Sequence, residues 1–169
     1  LSMHIDNVKK FCLDVRANPW RTEVVQQRFR EHNLDVEFFY GAHGQTIGIM
    51  PCRTVFDVER DHTYRINPGK TSITLSKIML FQHILDKGYE EVLIFENDVN
   101  LVQYFRDEFE KSYAALPEGW QAVHVGFCCS EGKPQTVIND RITQIAGVLC
   151  CHALLLKREA VQLAYDTLL

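Results

Sequence analysis

The sequence predicts an α/β protein, a three-layer sandwich in which helices cover both faces of a mainly parallel central sheet. Segments with the apolar pattern of strands alternate with segments of helical periodicity, which is typical of parallel α/β proteins. A strand, a helix and a second strand fit within residues 8–40, the size of one βαβ unit. Residues 92–95 form an uninterrupted apolar run, as expected for a central strand buried on both faces.

The individual elements can be assigned in order from apolar periodicity and from residues that begin or end helices. Asn18 and Pro19 indicate the start of the first helix, and Asn33 indicates its end. Gly88 ends the second helix, and Pro117 follows the third. The prediction is a strand at 8–15, a helix at 20–32, a strand at 35–40, a surface excursion at 45–70, a helix at 71–87, a strand at 92–95, a helix at 101–116, a strand at 121–127, a polar loop at 128–140, one or two strands within 142–156 and a helix at 157–165.

Composition excludes several classes of protein. The chain has 169 residues, 46% of them hydrophobic and 24% charged, so a single domain can bury an ordinary core without disulfides. A net charge of −4 argues against nucleic-acid binding through bulk positive charge. No apolar stretch is long enough to span a membrane, and the first residues lack the pattern of a signal peptide. The cysteines are expected to be reduced and mostly structural, which favours a cytoplasmic location; they are Cys12, Cys52, Cys128, Cys129, Cys150 and Cys151.

Three polar residues, Glu96, Asn97 and Asp98, directly follow the central strand. A strand covered on both faces cannot hold two carboxylates in the core, because an unpaired buried charge is very unfavourable. The acids are therefore expected where the strand leaves the sheet, at the carboxyl edge where α/β proteins bind ligands. A bend at Asn97 would let Glu96 and Asp98 face one hard cation. A solvated acidic turn without a metal ion is the alternative.

Several short motifs follow one another along the chain. They are Cys12-Leu13-Asp14-Val15-Arg16 with Arg21, Gly41-Ala42-His43-Gly44, Leu75-Ser76-Lys77, Glu96-Asn97-Asp98-Val99, the segment from Trp120 to Gly126, the segment from Gly147 to His152, and Ala160-Val161-Gln162-Leu163. In this order they resemble glycosyltransferase family 25, the group of lipopolysaccharide-core sugar transferases and collagen galactosyltransferases. The resemblance covers nearly the whole chain and depends on the succession rather than on any single motif.

The resemblance implies a GT-A architecture, a Rossmann-like domain that binds a nucleotide-diphosphate sugar and comprises residues 1–169, either truncated or short at its C-terminus relative to the family. It implies transfer of a hexose, with galactose expected, from a UDP-linked donor to a saccharide or hydroxyl acceptor. It also implies Mn²⁺ or Mg²⁺ at Glu96 and Asp98, and a role in lipopolysaccharide biosynthesis in the cytoplasm or at the periphery of the inner membrane. It assigns no catalytic base. The residues expected to bind the nucleotide sugar are Leu13, Asp14, Arg16, Arg21, Ala42, Ser76, Lys77 and Asn97.

The chain departs from the family pattern at three positions. Asn97 stands where the family has aspartate, Lys77 where it has histidine, and Cys12 where it has asparagine. These departures and the short C-terminus leave a second hypothesis open, a catalytically inactive relative that acts as a binding or scaffold module.

Other polar and aromatic residues have two interpretations each. Arg16 and Arg21 either hold the diphosphate or nucleoside or form surface charge at the start of a helix. Trp120 is predicted as a core anchor rather than a sugar platform, and His124 as a core residue rather than a catalyst.

Overall fold

A computed structural model describes residues 4–14, 19–42, 68–128, 134–146 and 151–169. The helices are α1 (His4–Asn7), α2 (Pro19–Glu31), α3 (Pro68–Lys87), α4 (Phe105–Ala114) and α5 (Arg158–Leu168). The strands are β1 (Lys9–Asp14), β2 (Glu37–Tyr40), β3 (Glu91–Glu96), β4 (Ala122–Gly126), β5 (Gln135–Val137), β6 (Thr143–Ile145) and β7 (Ala153–Lys157). Within these segments, no helix combines the length and apolar character needed to cross a membrane.

The central sheet has the strand order β2-β1-β3-β7-β4. Strand β1 is parallel to both β2 and β3, whereas β7 is antiparallel to β3 and β4. Of the five strands in this sheet, β7 therefore runs opposite to the other four. The predicted α/β fold with a mainly parallel sheet is confirmed. Parallel neighbours require crossover connections, which is why helices cover the faces of the sheet.

Two apolar clusters separate the sheet from its helices, because alternate residues of a strand point to opposite faces. On one face, Phe95 of β3 packs with Phe29 of α2 and Phe105 of α4. On the other face, Val92 of β3 belongs to a cluster that includes Ile84 of α3. The unbroken apolar run of β3 thus has the physical origin that the sequence predicted, burial on both sides.

Three helix boundaries differ from the sequence prediction by three residues or more: the starts of α3 and α4, and the end of α5, which reaches Leu168 rather than residue 165. Helix α3 begins at Pro68 rather than at residue 71, because proline is well accommodated in the first turn, where its missing N–H has no helical partner. Residues 68–70 of the predicted surface excursion are therefore helical, and its other residues lie outside the described segments. Helix α4 begins at Phe105 rather than at residue 101, and a tight turn closed by the hydrogen bond from the Phe105 N–H to the Val102 carbonyl (3.0 Å) precedes it.

A small hairpin was not predicted. Strands β5 and β6 pair antiparallel as a separate two-stranded sheet, so the predicted loop at 128–140 is wrong for residues 135–137. All residues of β5 are exposed, and a strand without a buried face has no apolar alternation to reveal it.

Helix α1 was also not predicted, because it is a single turn held by tertiary contacts. The carboxylate of Glu110 on α4 accepts the backbone N–H groups of His4 (3.0 Å) and Ile5 (2.7 Å). These are N–H groups at the start of the helix, which have no partner within it.

Candidate active site

The carboxyl ends of β1, β2, β3 and β4 and the amino end of β7 meet at one edge of the sheet. Asp14 lies opposite Tyr40, and Leu13 lies opposite Glu96. Ala153, the first residue of β7, lies opposite Phe95 on one side and Gly126 on the other. Open α/β sheets bind their ligands at this edge, so the side chains that follow these strands form the candidate active site.

In the acidic turn at the end of β3, the side chain of Asn97 points away from those of Glu96 and Asp98. The N–H of Val99 donates to the carbonyl of Glu96 (3.1 Å) and closes the turn. Asn97 points back into the protein, where its Nδ2 donates to Oδ1 of Asp14 (3.0 Å). The side chains of Glu96 and Asp98 remain partly accessible to solvent. The bend at Asn97 that the sequence predicted therefore lets the two carboxylates turn toward each other.

His152 completes this cluster from a distant part of the sequence. Its backbone N–H donates to the Gly126 carbonyl (2.9 Å), and its carbonyl accepts the Glu96 N–H (2.9 Å), which ties it between β4 and β3. Its Nδ1 lies 3.4 Å from Oδ1 of Asp98, and its Nε2 lies 3.2 Å from Sγ of Cys128. Sequence analysis missed His152, because its place beside Glu96 follows from the antiparallel direction of β7, which apolar periodicity does not reveal.

The donor atoms of Glu96, Asp98 and His152 fit a divalent cation. They lie within 4.8 Å of one another, and in the described part of the chain no second trio of His, Cys, Asp and Glu side chains does so. Two ligand atoms that are each about 2.1 Å from one ion can be at most about 4.2 Å apart. Shifts of the side-chain donor atoms by less than about 1 Å would therefore let all three bind the same ion. Two carboxylates and one imidazole are ligands that Mn²⁺ accepts.

Lys77 on α3 lies against the acidic turn. Its Nζ is 3.3 Å from Oε1 of Glu96, and both side chains are partly buried. A small cavity of about 40 Å³ adjoins the pair; it is lined by Leu13, Lys77, Phe81, Ile94, Glu96, Cys151 and Leu154. The cavity brings two residues predicted to bind the nucleotide sugar, Leu13 and Lys77, next to one of the predicted metal ligands.

The family model of glycosyltransferase family 25 (LPS biosynthesis protein) matches residues 8–127, well over half of the chain. The chain belongs to glycosyltransferase family 25. The domain is therefore that of a transferase enzyme that acts on a sugar donor and an acceptor. No curated protein matches the chain.

In this glycosyltransferase, Asp14 and Asn97, which were expected to bind the donor, face the protein interior. Asp14 at the end of β1 is fully buried, and its carboxylate accepts hydrogen bonds from Oγ1 of Thr22 and Nδ2 of Asn97. Because these bonds join α2, β1 and the acidic turn, they fix the direction in which Glu96 and Asp98 leave the sheet. Arg28 of α2 adds a 2.7 Å bond to the Val99 carbonyl at the end of the turn.

A second pair of expected donor-binding residues lies where α3 meets the end of β2. The Ala42 carbonyl accepts a hydrogen bond from Oγ of Ser72 (2.9 Å), and Oγ of buried Ser76 donates to the Ser72 carbonyl (2.6 Å). Gly41 makes this approach possible, since a Cβ there would stand 2.1 Å from Oγ of Ser76. The Ser76 hydroxyl is thus engaged within α3.

The remaining residues singled out from the sequence fall in different places. Arg21 lies exposed in the first turn of α2, stacked over the ring of Trp20, and Arg16 lies outside the described residues. Trp120 packs against Tyr113 at the edge of the core, with Nζ of Lys157 over its ring at 4.9 Å, which is consistent with a core anchor.

The prediction that His124 is a core residue is wrong, because the residue lies on β4, an edge strand that has a neighbouring strand on one side only. The residue is exposed, and its Nδ1 lies 3.6 Å from Sγ of Cys151. Partial burial of the ring and then the positive charge of Lys77 lower the pKa of His124 from its ordinary value of 6.5. The ring is therefore neutral at pH 7.

The described cysteines differ in their surroundings. Cys12, Cys128 and Cys151 are outside any disulfide bond. Cys12 is fully buried in the apolar cluster under α2, as predicted for a structural thiol, and burial raises its pKa far above the ordinary value. Cys128 is exposed beside His152, so the prediction of a mostly structural role does not describe it. Cys52, Cys129 and Cys150 lie outside the described residues.

Proposed function

We propose that this glycosyltransferase moves a hexose, with galactose as the expected sugar, from a UDP-linked donor to a hydroxyl of a saccharide or other acceptor, assisted by Mn²⁺ or Mg²⁺. The observation that carries the proposal is the convergence of the donor atoms of Glu96, Asp98 and His152 within 4.8 Å at the ligand-binding edge of the sheet. When bound there, a divalent cation stabilises the negative charge that develops on a leaving nucleotide diphosphate.

The chemistry of the donor set favours Mn²⁺ over Mg²⁺. Mg²⁺ prefers an octahedron of oxygen ligands, whereas an imidazole nitrogen suits transition metals better. Glu96 and Asp98 supply the oxygen ligands that either ion needs, and His152 supplies the nitrogen. The backbone hydrogen bond from the Glu96 N–H to the His152 carbonyl holds these two residues in register before any ligand arrives.

Lys77 contributes a positive charge at the same place. In the absence of a cation its ammonium partly neutralises Glu96 across 3.3 Å. A flexible lysine can turn from a carboxylate to a phosphate oxygen as a point charge. The histidine expected from the family is thus replaced by a residue that can bind an anionic donor directly.

Calorimetric titration with UDP, in Mn²⁺ and in chelator, tests the proposal. We expect UDP to bind at least about tenfold more tightly with Mn²⁺, and Asp98→Asn to abolish the difference. Asp107→Asn is the matched control, since it removes an exposed carboxylate of α4. His152→Ala should reduce the preference for Mn²⁺ over Mg²⁺. Lys77→Met should tighten Mn²⁺ binding in the absence of nucleotide and weaken UDP binding.

The possible results separate the parts of the proposal. UDP binding of equal strength with and without Mn²⁺ would refute the metal-assisted part. No UDP binding in either buffer would refute the proposal of a UDP-linked donor and would favour the hypothesis of a catalytically inactive binding or scaffold module. Hydrolysis or transfer assays with UDP-galactose and UDP-glucose then identify the sugar.

A further inference from the structure

Strand β4 is irregular at the point where it reaches the candidate active site. His124 lies opposite Leu154 of β7, and Gly126 lies opposite Ala153. Strand β4 thus advances by two residues while β7 advances by one, which is the pattern of a β-bulge at Val125. Bulges redirect the side chains that follow them and are frequent beside active sites.

The bulge brings Phe127 and His124 onto the same face. In a regular strand, residues three positions apart point to opposite faces and are about 10 Å apart. Here the two rings are in edge contact, with centroids 6.3 Å apart and planes inclined by 76°. Phe127 is nevertheless 38% exposed, which is high for a phenylalanine so close to the sheet.

The pair also adjoins the proposed metal ligands along two chain segments. Cys128, the residue after Phe127, contacts Nε2 of His152 at 3.2 Å. Cys151, the residue before His152, contacts Nδ1 of His124 at 3.6 Å. Cys151 thus links the His124 ring to the small cavity that Glu96 and Lys77 line, and Phe127 precedes the cysteine that contacts His152.

We propose that Phe127 and His124 form the acceptor subsite, in which the Phe127 ring covers the apolar face of a pyranose and His124 hydrogen-bonds one of its hydroxyl groups. This inference rests on the proposed function, because it places a sugar acceptor beside the donor site. Sites for small polar ligands combine aromatic surface with a few placed polar groups, and an exposed ring at a steep angle to an imidazole provides both. Nδ1 of His124 faces Sγ of Cys151, so Nε2 is the nitrogen left for a sugar hydroxyl, and it donates or accepts according to the tautomer.

Saturation-transfer NMR with methyl β-galactopyranoside tests the subsite. This probe carries several C–H bonds on one face of its ring, and mannitol, an open-chain polyol without such a face, is the ligand control. We expect saturation of the C–H protons of that face in the wild-type protein and none for mannitol. The apparent Kd should rise about tenfold in Phe127→Ala and recover in Phe127→Trp. Leu163→Ala, which removes a 70% exposed apolar side chain of α5, should have no effect.

Several results would overturn the subsite. These are no saturation transfer in the wild-type protein, equal transfer to mannitol, or an unchanged Kd in Phe127→Ala. UDP binding with Mn²⁺ is measured on the same samples and should be unchanged in Phe127→Ala. If the galactoside binds in a Phe127-dependent way but UDP does not bind, the subsite is supported and the proposal of a UDP-linked donor is refuted. If Phe127→Ala melts at a lower temperature, Phe127→Leu replaces it: galactoside binding lost with UDP binding kept supports the subsite, and galactoside binding kept overturns it.

Discussion

Replacing Asn97 by aspartate tests how the acidic turn is held. Nδ2 of Asn97 donates a 3.0 Å hydrogen bond to Oδ1 of Asp14, a side chain that is fully buried. In Asn97→Asp an oxygen takes the place of that donor, so two carboxyl groups face each other at hydrogen-bond distance. The two side chains have nearly the same shape, so the substitution changes charge and hydrogen bonding and leaves packing intact.

The free-energy cost of this substitution has a ceiling, because the pair of carboxyl groups can take up one proton. An ordinary aspartate has a pKa of about 3.9, and each pH unit above it costs about 1.4 kcal/mol, which gives about 4 kcal/mol at pH 7. Coulomb repulsion at this separation with an effective dielectric constant of about 20 is of similar size, about 5 kcal/mol. We therefore expect Asn97→Asp to lower the free energy of unfolding by about 2–4 kcal/mol at neutral pH.

The pH dependence of this loss identifies its cause. The shared proton raises the carboxyl pKa in the folded state above its unfolded value, so stability relative to wild type is lost as the pH rises above about 4. Urea unfolding in chelator, followed by circular dichroism at several pH values from mildly acidic to neutral, should show the deficit shrinking by about 1 kcal/mol per unit on acidification.

Two controls separate repulsion from other effects. Asn100→Asp adds the same charge at an exposed position of the same loop and should change stability by less than about 0.5 kcal/mol. Asn97→Ala removes the hydrogen bond without adding charge and should give a smaller loss at neutral pH than Asn97→Asp. A variant Asn97→Asp that matches the wild type at neutral pH, or whose deficit is constant with pH, would refute the reasoning.

Three further predictions concern packing and titration. Gly41→Ala should lower the free energy of unfolding by about 1–3 kcal/mol in thermal denaturation, because its Cβ would stand 2.1 Å from Oγ of Ser76. Adding Ser76→Gly to the same chain should restore part of the lost stability, and no restoration would contradict the clash. Burial and then the charge of Glu91, to which its hydroxyl donates, raise the pKa of Tyr113 from 10.0 to about 12. The stabilisation by the Tyr113–Glu91 interaction is therefore lost as the pH rises from 10 to about 12. Tyr113→Phe should be less stable by about 1 kcal/mol at neutral pH and should not show this loss at alkaline pH. Parallel curves of unfolding free energy against pH for the two proteins would contradict the prediction. The lowered pKa of His124 means that the folded state disfavours its protonation. As the pH is lowered below 6.5, the free energy of unfolding should therefore decrease more steeply for the wild type than for His124→Gln. Equal slopes for the two proteins would contradict this prediction.

The sheet and the acidic edge were predictable because their causes are local in the sequence. The apolar run 92–95 is long enough to indicate burial on both faces, and that burial expels Glu96 and Asp98 to the edge. The helix start at Pro19 and the stop at Asn33, which adopts a positive φ of 51°, likewise depend on neighbouring residues alone.

The third member of the cluster could not be predicted, because it depends on the direction of a strand. Apolar periodicity indicates that 153–157 is a strand, yet it is the same for either direction. Had β7 been parallel to β3, its other end, near Lys157, would have reached the edge where His152 now lies. The bulge at Val125 is hidden for a similar reason, since it appears only when β4 is paired with β7.

On the proposed function, we expect the charges at the carboxyl edge to favour a cation and a diphosphate together over either one alone. Glu96 and Asp98 carry two negative charges, which match one divalent cation, and Asn97 adds none because its neutral amide is engaged with Asp14. A cation at this position would replace Lys77 as the partner of Glu96, and the ammonium would then lose the ion pair that it makes within the described residues. A diphosphate supplies that anion to Lys77 and to the cation at once, so each ligand should raise the affinity for the other. The replacement of the family's aspartate by Asn97 and of its histidine by Lys77 therefore changes the charges of the site in the same direction, toward binding an anionic donor.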